Sequence, residues 1–237
     1  MVSSRAKPRD LCRLRYRRSL GFARDDSDIK GVMQYLHEVP HIRAGMEHLL
    51  ENDPVFSKLG IAPESLAWPY VPGGYPSLVR IVVGQQVSTA AARSMWARFQ
   101  AGVPDIRPHE VLSLDDETLR GFGLSRSKVA YIRGLSEAVR AGDFDPDSFN
   151  AMSDEAVFEA ITALKGFGRW SADMYLMFSL ARPDIWPAGD LGIREGLKRY
   201  LNARTRPDEA RTRKEGKRFT PHRTAASILL WHMAGQK

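Results

Sequence analysis

Residues 164–175 read LKGFGRWSADMY: two glycines around one aromatic side chain, then a run with helical spacing. No other stretch constrains the fold as much. Gly166 and Gly168 let the backbone reverse within a few residues, so the segments on either side must pack against each other. The preceding segment, SDEAVFEAITAL, opens on Ser153, a good N-cap, and repeats apolar side chains at Val157, Phe158, Ile161 and Leu164. The following helix is expected to begin near Arg169 with its first amides unpaired. Such amides, together with the partial positive charge of a helix start, can hold an anion. Phe167 can pack inward and stiffen the turn. Two readings are open on these residues alone: an ordinary helix–helix connection with glycine at a C-cap, and a grip on phosphate that ignores base identity.

A near copy lies 45 positions upstream. Residues 119–131, LRGFGLSRSKVAY, repeat the leucine, a basic residue and the Gly-Phe-Gly, but Leu124 then delays the next helix to an N-cap at Ser125. This copy is read as a structural relative of the second turn, with glycines that serve packing. Other segments are helical too. In residues 41–56, Ile42, Met46, Leu49 and Leu50 share one face. Residues 75–99 start a helix after Pro76, break near Gly84–Gln86 and resume with Ser88 as N-cap. Period-2 alternation is absent, and only the Ile-Val-Val at 81–83 could pass for a very short strand. The expected fold class is all-α.

Charge is unevenly distributed. Residues 1–24 carry eight basic side chains and one acid; residues 25–181 carry fourteen basic and twenty-one acidic; residues 182–237 carry thirteen basic and six acidic. A basic tail and a basic C-terminal quarter thus bracket an acidic body, an asymmetry that fits a polyanionic partner as well as a merely solvated surface. Residues 1–30 have no apolar face and read as a disordered basic tail, whether a DNA-tethering arm, a transit-like peptide or an overlong gene start with Met33 as a later one. Residues 31–237 are expected to form the functional domain. The single cysteine, Cys12, excludes internal disulfides and a four-cysteine metal cluster. No run approaches the ~18 apolar residues of a membrane span. The chain therefore reads as soluble and intracellular, without a membrane or a transition metal.

The downstream sequence narrows the choice. LKGFGRWSADMYLMFSLARPDIWPAGDLGIREG (164–196) resembles the signature of the helix-hairpin-helix (HhH-GPD) DNA glycosylase superfamily, in which a Gly-hydrophobic-Gly hairpin precedes a Gly/Pro-rich loop ending in an essential aspartate. Residues 79–99, 123–139 and 219–233 fit the same family in the same order, so the resemblance covers roughly residues 40–235. It is greatest to the alkylated-base branch, the 3-methyladenine DNA glycosylase II type. The resemblance implies two helical lobes around a cleft carrying the hairpin; because the helical body starts soon after residue 30, a compact form without the extra N-terminal β domain of some relatives is expected. It also implies that a damaged nucleotide is flipped out of double-stranded DNA before its base is removed. A monomer is expected, in the cytoplasm or nucleoid of a prokaryote or the nucleus of a eukaryote.

Roles follow from the resemblance position by position. Asp190 matches the essential aspartate, whose carboxylate would face the positive charge that develops on the sugar; capping the helix that follows is compatible with that role. Trp170 stands where lyase members carry a nucleophilic lysine, and an indole forms no Schiff base. This implies a monofunctional enzyme that leaves an abasic site; Lys165, before the turn, does not match the nucleophile. Trp170 and Trp231 match base-pocket tryptophans suited to a cationic methylated purine, with a buried core position as the alternative for each. Gln86 matches the wedge that fills the hole in the duplex, with Gln85 supporting its loop; a polar helix bend is the plainer reading.

In the hairpin, the amides of Gly166, Gly168 and Ser171 would hold a DNA phosphate. The carbonyls of Thr162, Leu164 and Phe167 would hold a structural sodium or potassium ion, and no other cofactor is implied. Arg223 matches an arginine of the final motif. His222 and Phe219 depart from the family's usual aromatics, which puts pocket shape and lesion range in question. The rivals are a non-catalytic helix-hairpin-helix DNA-binding protein, a lyase or iron–sulfur glycosylase, and a glycosylase with a different lesion range.

Overall fold

A computed structural model of the chain describes residues 35–235; the basic tail at 1–30 and Cys12 lie outside the described residues. In chain order the α-helices are α1 (Pro40–Asn52), α2 (Tyr75–Gly84), α3 (Thr89–Gly102), α4 (Pro108–Ser113), α5 (Asp116–Gly121), α6 (Arg126–Ala141), α7 (Asp154–Ala163), α8 (Arg169–Phe178), α9 (Leu191–Tyr200), α10 (Glu209–Glu215) and α11 (Arg223–Gly235). Short 3-10 turns fill several connections. No strand forms among the described residues, only one isolated bridge between Tyr35 and Pro69. The fold is all-α, and the Ile-Val-Val at 81–83 lies within α2.

Capping chemistry explains most of the helix starts. Ser88, Asp115, Ser125, Ser153, Asp190 and Asp208 each accept a hydrogen bond from the amide three residues on. Proline occupies the first turn of α1, α2 and α4, where its missing N–H costs nothing. α6 ends on Gly142, whose φ of 81° is the left-handed conformation of a glycine C-cap.

The chain divides into two compact units: one from residues up to Tyr70 together with Ala188 onward, the other from Val71–Pro187. Each has one helix buried on all sides. In the second unit this is α8, where every residue from Ser171 to Phe178 is buried; it packs on α2 and α7, and Leu78, Val79, Phe99, Ile132 and Ile161 of the surrounding helices are buried in the same unit. Two buried tyrosines of this core are paired. The Tyr175 hydroxyl accepts from the Gly74 amide at 2.7 Å. The Tyr75 hydroxyl meets Ser136 Oγ at 2.6 Å, and burial pushes its pKa up to about 12.

In the first unit the central helix is α11, buried from Thr224 to Met233. It packs on α1 and, at very short range, on α9. A Cβ at Gly196 of α9 would lie 2.0 Å from the Leu230 carbonyl oxygen of α11, so the two backbones nearly touch. Phe56, Tyr200 and Phe219 form an aromatic cluster with centroid separations of 4.9–5.7 Å. Phe219 is thus a core residue of this unit, and the His222 ring lies against that of His48 at 5.1 Å. Both departures from the family's usual aromatics have packing partners here.

The α9–α11 contact makes a stability prediction. Gly196→Ala forces the helices apart against backbone, not against a movable side chain. It is expected to cost about 3 kcal/mol, the upper end for overpacking, and to lower the melting temperature by roughly 6–12 °C for a chain of this size. An unchanged thermal melt would contradict the packing described.

Candidate active site and nucleic-acid interface

Asp190 closes the segment Pro-Ala-Gly-Asp and caps α9. Its extended backbone (φ −68°, ψ 130°) turns the side chain back over the first turn, where Oδ1 accepts from the Ile193 amide at 2.9 Å. The same oxygen accepts from Trp231 Nε1 at 2.8 Å. Two N–H donors converging on one oxygen fix the rotation of the carboxylate. Trp231 reaches it because residue 192 has no side chain: a Cβ there would lie 2.6 Å from Trp231 Cδ1 and 3.1 Å from Asp190 Oδ1. Trp231 is 4% exposed and its ring stacks on Trp68, centroids 5.1 Å apart. The family resemblance places Trp231 in the base pocket; here its indole N–H binds Asp190 and its ring is backed by Trp68. Arg223 opens α11 and is half-buried.

In the second unit the two glycines of the hairpin serve different purposes. Gly166 has φ +90°, and the Tyr131 ring of α6 occupies the space of a Cβ, with Cγ at 2.2 Å. Both conformation and contact demand glycine there. Gly168 has an ordinary extended φ and nothing within 4 Å of its Cβ direction, so it keeps the solvent side of the turn open. Phe167, 4% exposed, packs inward. The amides of Gly166, Gly168 and Arg169 donate to no described residue.

Ser171 does not join them, which corrects the sequence expectation. Its amide donates to the Gly168 carbonyl at 2.9 Å and the residue is 2% exposed, because the first turn of α8 closes on itself. The Leu164 carbonyl accepts the Phe167 amide at 3.1 Å, while those of Thr162 and Phe167 accept no backbone hydrogen bond among the described residues. Leu164 keeps a second lone pair, so all three carbonyls are oxygen donors of the type a monovalent cation takes. Trp170 sits half-buried on the first turn of α8.

The break between α2 and α3 is tied to this hairpin. The Gln85 side-chain amide donates to the Gly166 carbonyl at 2.9 Å and to Ser171 Oγ at 3.0 Å. Gln86 follows with φ +54°, unusual for a side-chain-bearing residue, and is exposed. Lys128, only 8% exposed, donates its ammonium to the Val83 carbonyl at 2.8 Å at the end of α2, and burial pushes its pKa down. Lys128 and Tyr131 both belong to α6, the helix launched by the upstream Gly-Phe-Gly. That upstream turn differs in conformation: its positive φ falls on the second glycine, Gly123 (+96°), not the first. It starts the helix whose Lys128 and Tyr131 support the α2–α3 loop and the hairpin.

Among the described residues two large apolar side chains are exposed: Val87, beside Gln86, and Leu191, beside Asp190, at 38% and 58%. Sequence reasoning singles out neither, although each is an apolar residue set in a polar run, Gly-Gln-Gln-Val-Ser or Gly-Asp-Leu-Gly. Trp68 carries no comparable signal. A surface cavity of about 710 Å³ lined by Tyr75, Asp105, Arg107, Phe144 and Asp147 borders none of the site residues above.

The role of Gly192 can be tested without a substrate. Gly192→Ala is expected to push Trp231 off Asp190. The Trp231 indole N–H resonance should then shift upfield towards that of a solvent-exposed indole in a ¹⁵N-correlated NMR spectrum, while the protein remains folded. Retention of its position would mean that the hydrogen bond does not depend on Gly192.

Residues 79–222 match the HhH-GPD superfamily of base excision DNA repair proteins. DNA-3-methyladenine glycosylase 1 of Schizosaccharomyces pombe is 35% identical over 162 residues, spanning 66% of this chain and 71% of the relative. Two solved structures are similar at comparable identity. A 3-methyladenine DNA glycosylase of S. pombe in complex with abasic DNA superposes with a TM-score of 0.70 at 30% identity, over 79% of this chain and 95% of that one. A DNA-3-methyladenine glycosidase of Bacillus halodurans gives 0.67 at 29% identity, over 87% and 94%. The family match covers the hairpin, the α2–α3 loop and Asp190 together, and the chain belongs to the HhH-GPD superfamily of base excision DNA repair proteins.

Proposed function

We propose that the protein is a monofunctional DNA glycosylase that hydrolyses the N-glycosidic bond of alkylated purines of the 3-methyladenine and 7-methylguanine type, acting as a monomer on duplex DNA. Its similarity to 3-methyladenine glycosylases supports this reaction class. The observation that carries the reading is Asp190 Oδ1 held at 2.8–2.9 Å by two N–H donors at a helix start. Base removal develops positive charge on the sugar, and a carboxylate already oriented stabilises that charge without reorganising. An alkylated purine is cationic and leaves readily, so no strong general acid is needed.

Each remaining residue has a physical task. The outward amides of Gly166, Gly168 and Arg169 hold a backbone phosphate. A sodium or potassium ion on the Thr162, Leu164 and Phe167 carbonyls adds positive charge beside it. Gln86, projected by its left-handed backbone, fills the space left by the flipped nucleotide, while Gln85 and Lys128 fix the loop from behind. Trp170 stacks on the extruded base and, lacking an amine, forms no covalent intermediate, so the product is an abasic site without a strand break.

Asp190→Asn tests the assignment, since an amide oxygen can still accept from Ile193 and Trp231 and the fold should survive. With alkylated duplex DNA, wild type should release free base without strand scission, and the variant should be slower by at least about 10²–10³-fold, the scale for losing a preorganised electrostatic group. Wild-type release with strand breaks would overturn the monofunctional mechanism, and no release from any alkylated lesion would favour a DNA-binding module.

A further inference from the structure

Residues 201–219 contain seven basic and three acidic side chains, and the structure accounts for every acid. Asp208 caps α10 by accepting from the Arg211 amide at 2.7 Å. Glu209 pairs with Arg213, and Glu215 pairs with Arg218 at 2.8 Å. That leaves Arg204, Arg206, Arg211, Lys214 and Lys217, all exposed and none with a side-chain partner among the described residues. A solvated face usually interleaves its charges, whereas here five cations within fourteen residues are left without a neutralising acid.

The segment is also firmly mounted. Arg194, one turn into the helix that Asp190 caps, donates its Nε to the Pro207 carbonyl at 2.8 Å. The Glu209 carboxylate lies against Gly189, where a Cβ would be 3.3 Å from Oε2. At the far end Phe219 is locked in the aromatic cluster, and the Arg218 guanidinium lies over the Tyr200 ring at 5.7 Å. The five cations therefore stand at fixed offsets from Asp190. Mobile surface charge would need no such anchoring.

We infer that Arg204, Arg206, Arg211, Lys214 and Lys217 form a second phosphate-binding surface for the DNA backbone, distinct from the hairpin and built on the Asp190 unit. The hairpin binds phosphate with backbone amides, which add no net charge. This surface binds it with full positive charges, so it should release condensed counterions and carry most of the salt dependence of binding. It rests on the reading that the protein acts on duplex DNA, and it assigns to that reading a distinct surface.

The test is the slope of log affinity against log salt for a labelled undamaged duplex, over about 50–200 mM salt. Removing one cation from a phosphate lowers the steepness by about 0.9. The variant Arg211→Gln/Lys214→Gln/Lys217→Gln should lower it by about two to three, and Arg204→Gln/Arg206→Gln in the loop by about one to two, on the same rule. A charge-matched control, Lys58→Gln/Arg107→Gln/Arg140→Gln, should keep the wild-type slope. Glutamine preserves the helix and circular dichroism verifies folding; the loop pair tests the surface without altering α10. Equal slopes for wild type and both variants, or an equal reduction in the control, would overturn the inference while leaving the glycosylase reading intact. Failure of wild type to bind duplex DNA would overturn both.

Discussion

The close approach of α9 to α11 is the contact on which the proposed chemistry depends. Gly192 and Gly196, four residues apart, lie on one face of α9, and both positions would collide with α11 if they carried a Cβ. Gly196 lets the backbones meet at Leu230, and Gly192 then leaves room for the Trp231 indole to reach Asp190. A carboxylate at a helix start is ordinary N-capping; the second donor, delivered from a neighbouring helix, is what turns a cap into an oriented group. Trp68 stacks behind Trp231, so the donor is held as well as delivered.

The second unit solves a parallel problem with different means. Its α2–α3 loop and hairpin are irregular backbone, and irregular backbone holds its shape only when neighbours overdetermine it. Three side chains do this. Gln85 joins the loop to the hairpin through two hydrogen bonds, Lys128 caps the end of α2, and Tyr131 packs into the space that Gly166 leaves. The positive φ at Gln86 is sustained by that support and projects the residue into solvent. A buried lysine is costly, and its placement on a helix-end carbonyl satisfies one of the acceptors that the helix would otherwise leave open.

Much of this is legible in the sequence because it depends on local chemistry. Ser88, Ser125, Ser153 and Asp190 announce helix starts through short polar side chains ahead of helical spacing, and all four cap as their type suggests. The position and inward packing of Phe167 follow from its glycine neighbours. What stays hidden depends on non-local approach. Nothing near Trp68 in the chain indicates that it stacks on Trp231, and Gly192 looks like any glycine until α11 is placed against it. Lys128 and Tyr131 read as ordinary helix residues, so their support of the hairpin emerges only once α6 is packed. The outward role expected of the Ser171 amide fails for a related reason. Whether a first-turn amide points outward or closes on the residue three earlier is a matter of local geometry that glycine content does not fix.

Trp231 acts through its N–H on Asp190, not merely as a core aromatic, and on this the proposed chemistry turns. The most direct measurement is the single-turnover rate of base release from alkylated duplex DNA by Trp231→Phe, alongside its DNA affinity. Phenylalanine keeps an aromatic ring against Trp68 and removes the donor, together with the smaller ring of the indole. A hydrogen bond to a charged group is worth about 1.5–3 kcal/mol, so the rate should fall by roughly 10- to 100-fold with affinity unchanged. A wild-type rate in this variant would show that Asp190 is oriented without Trp231 and would contradict the assignment.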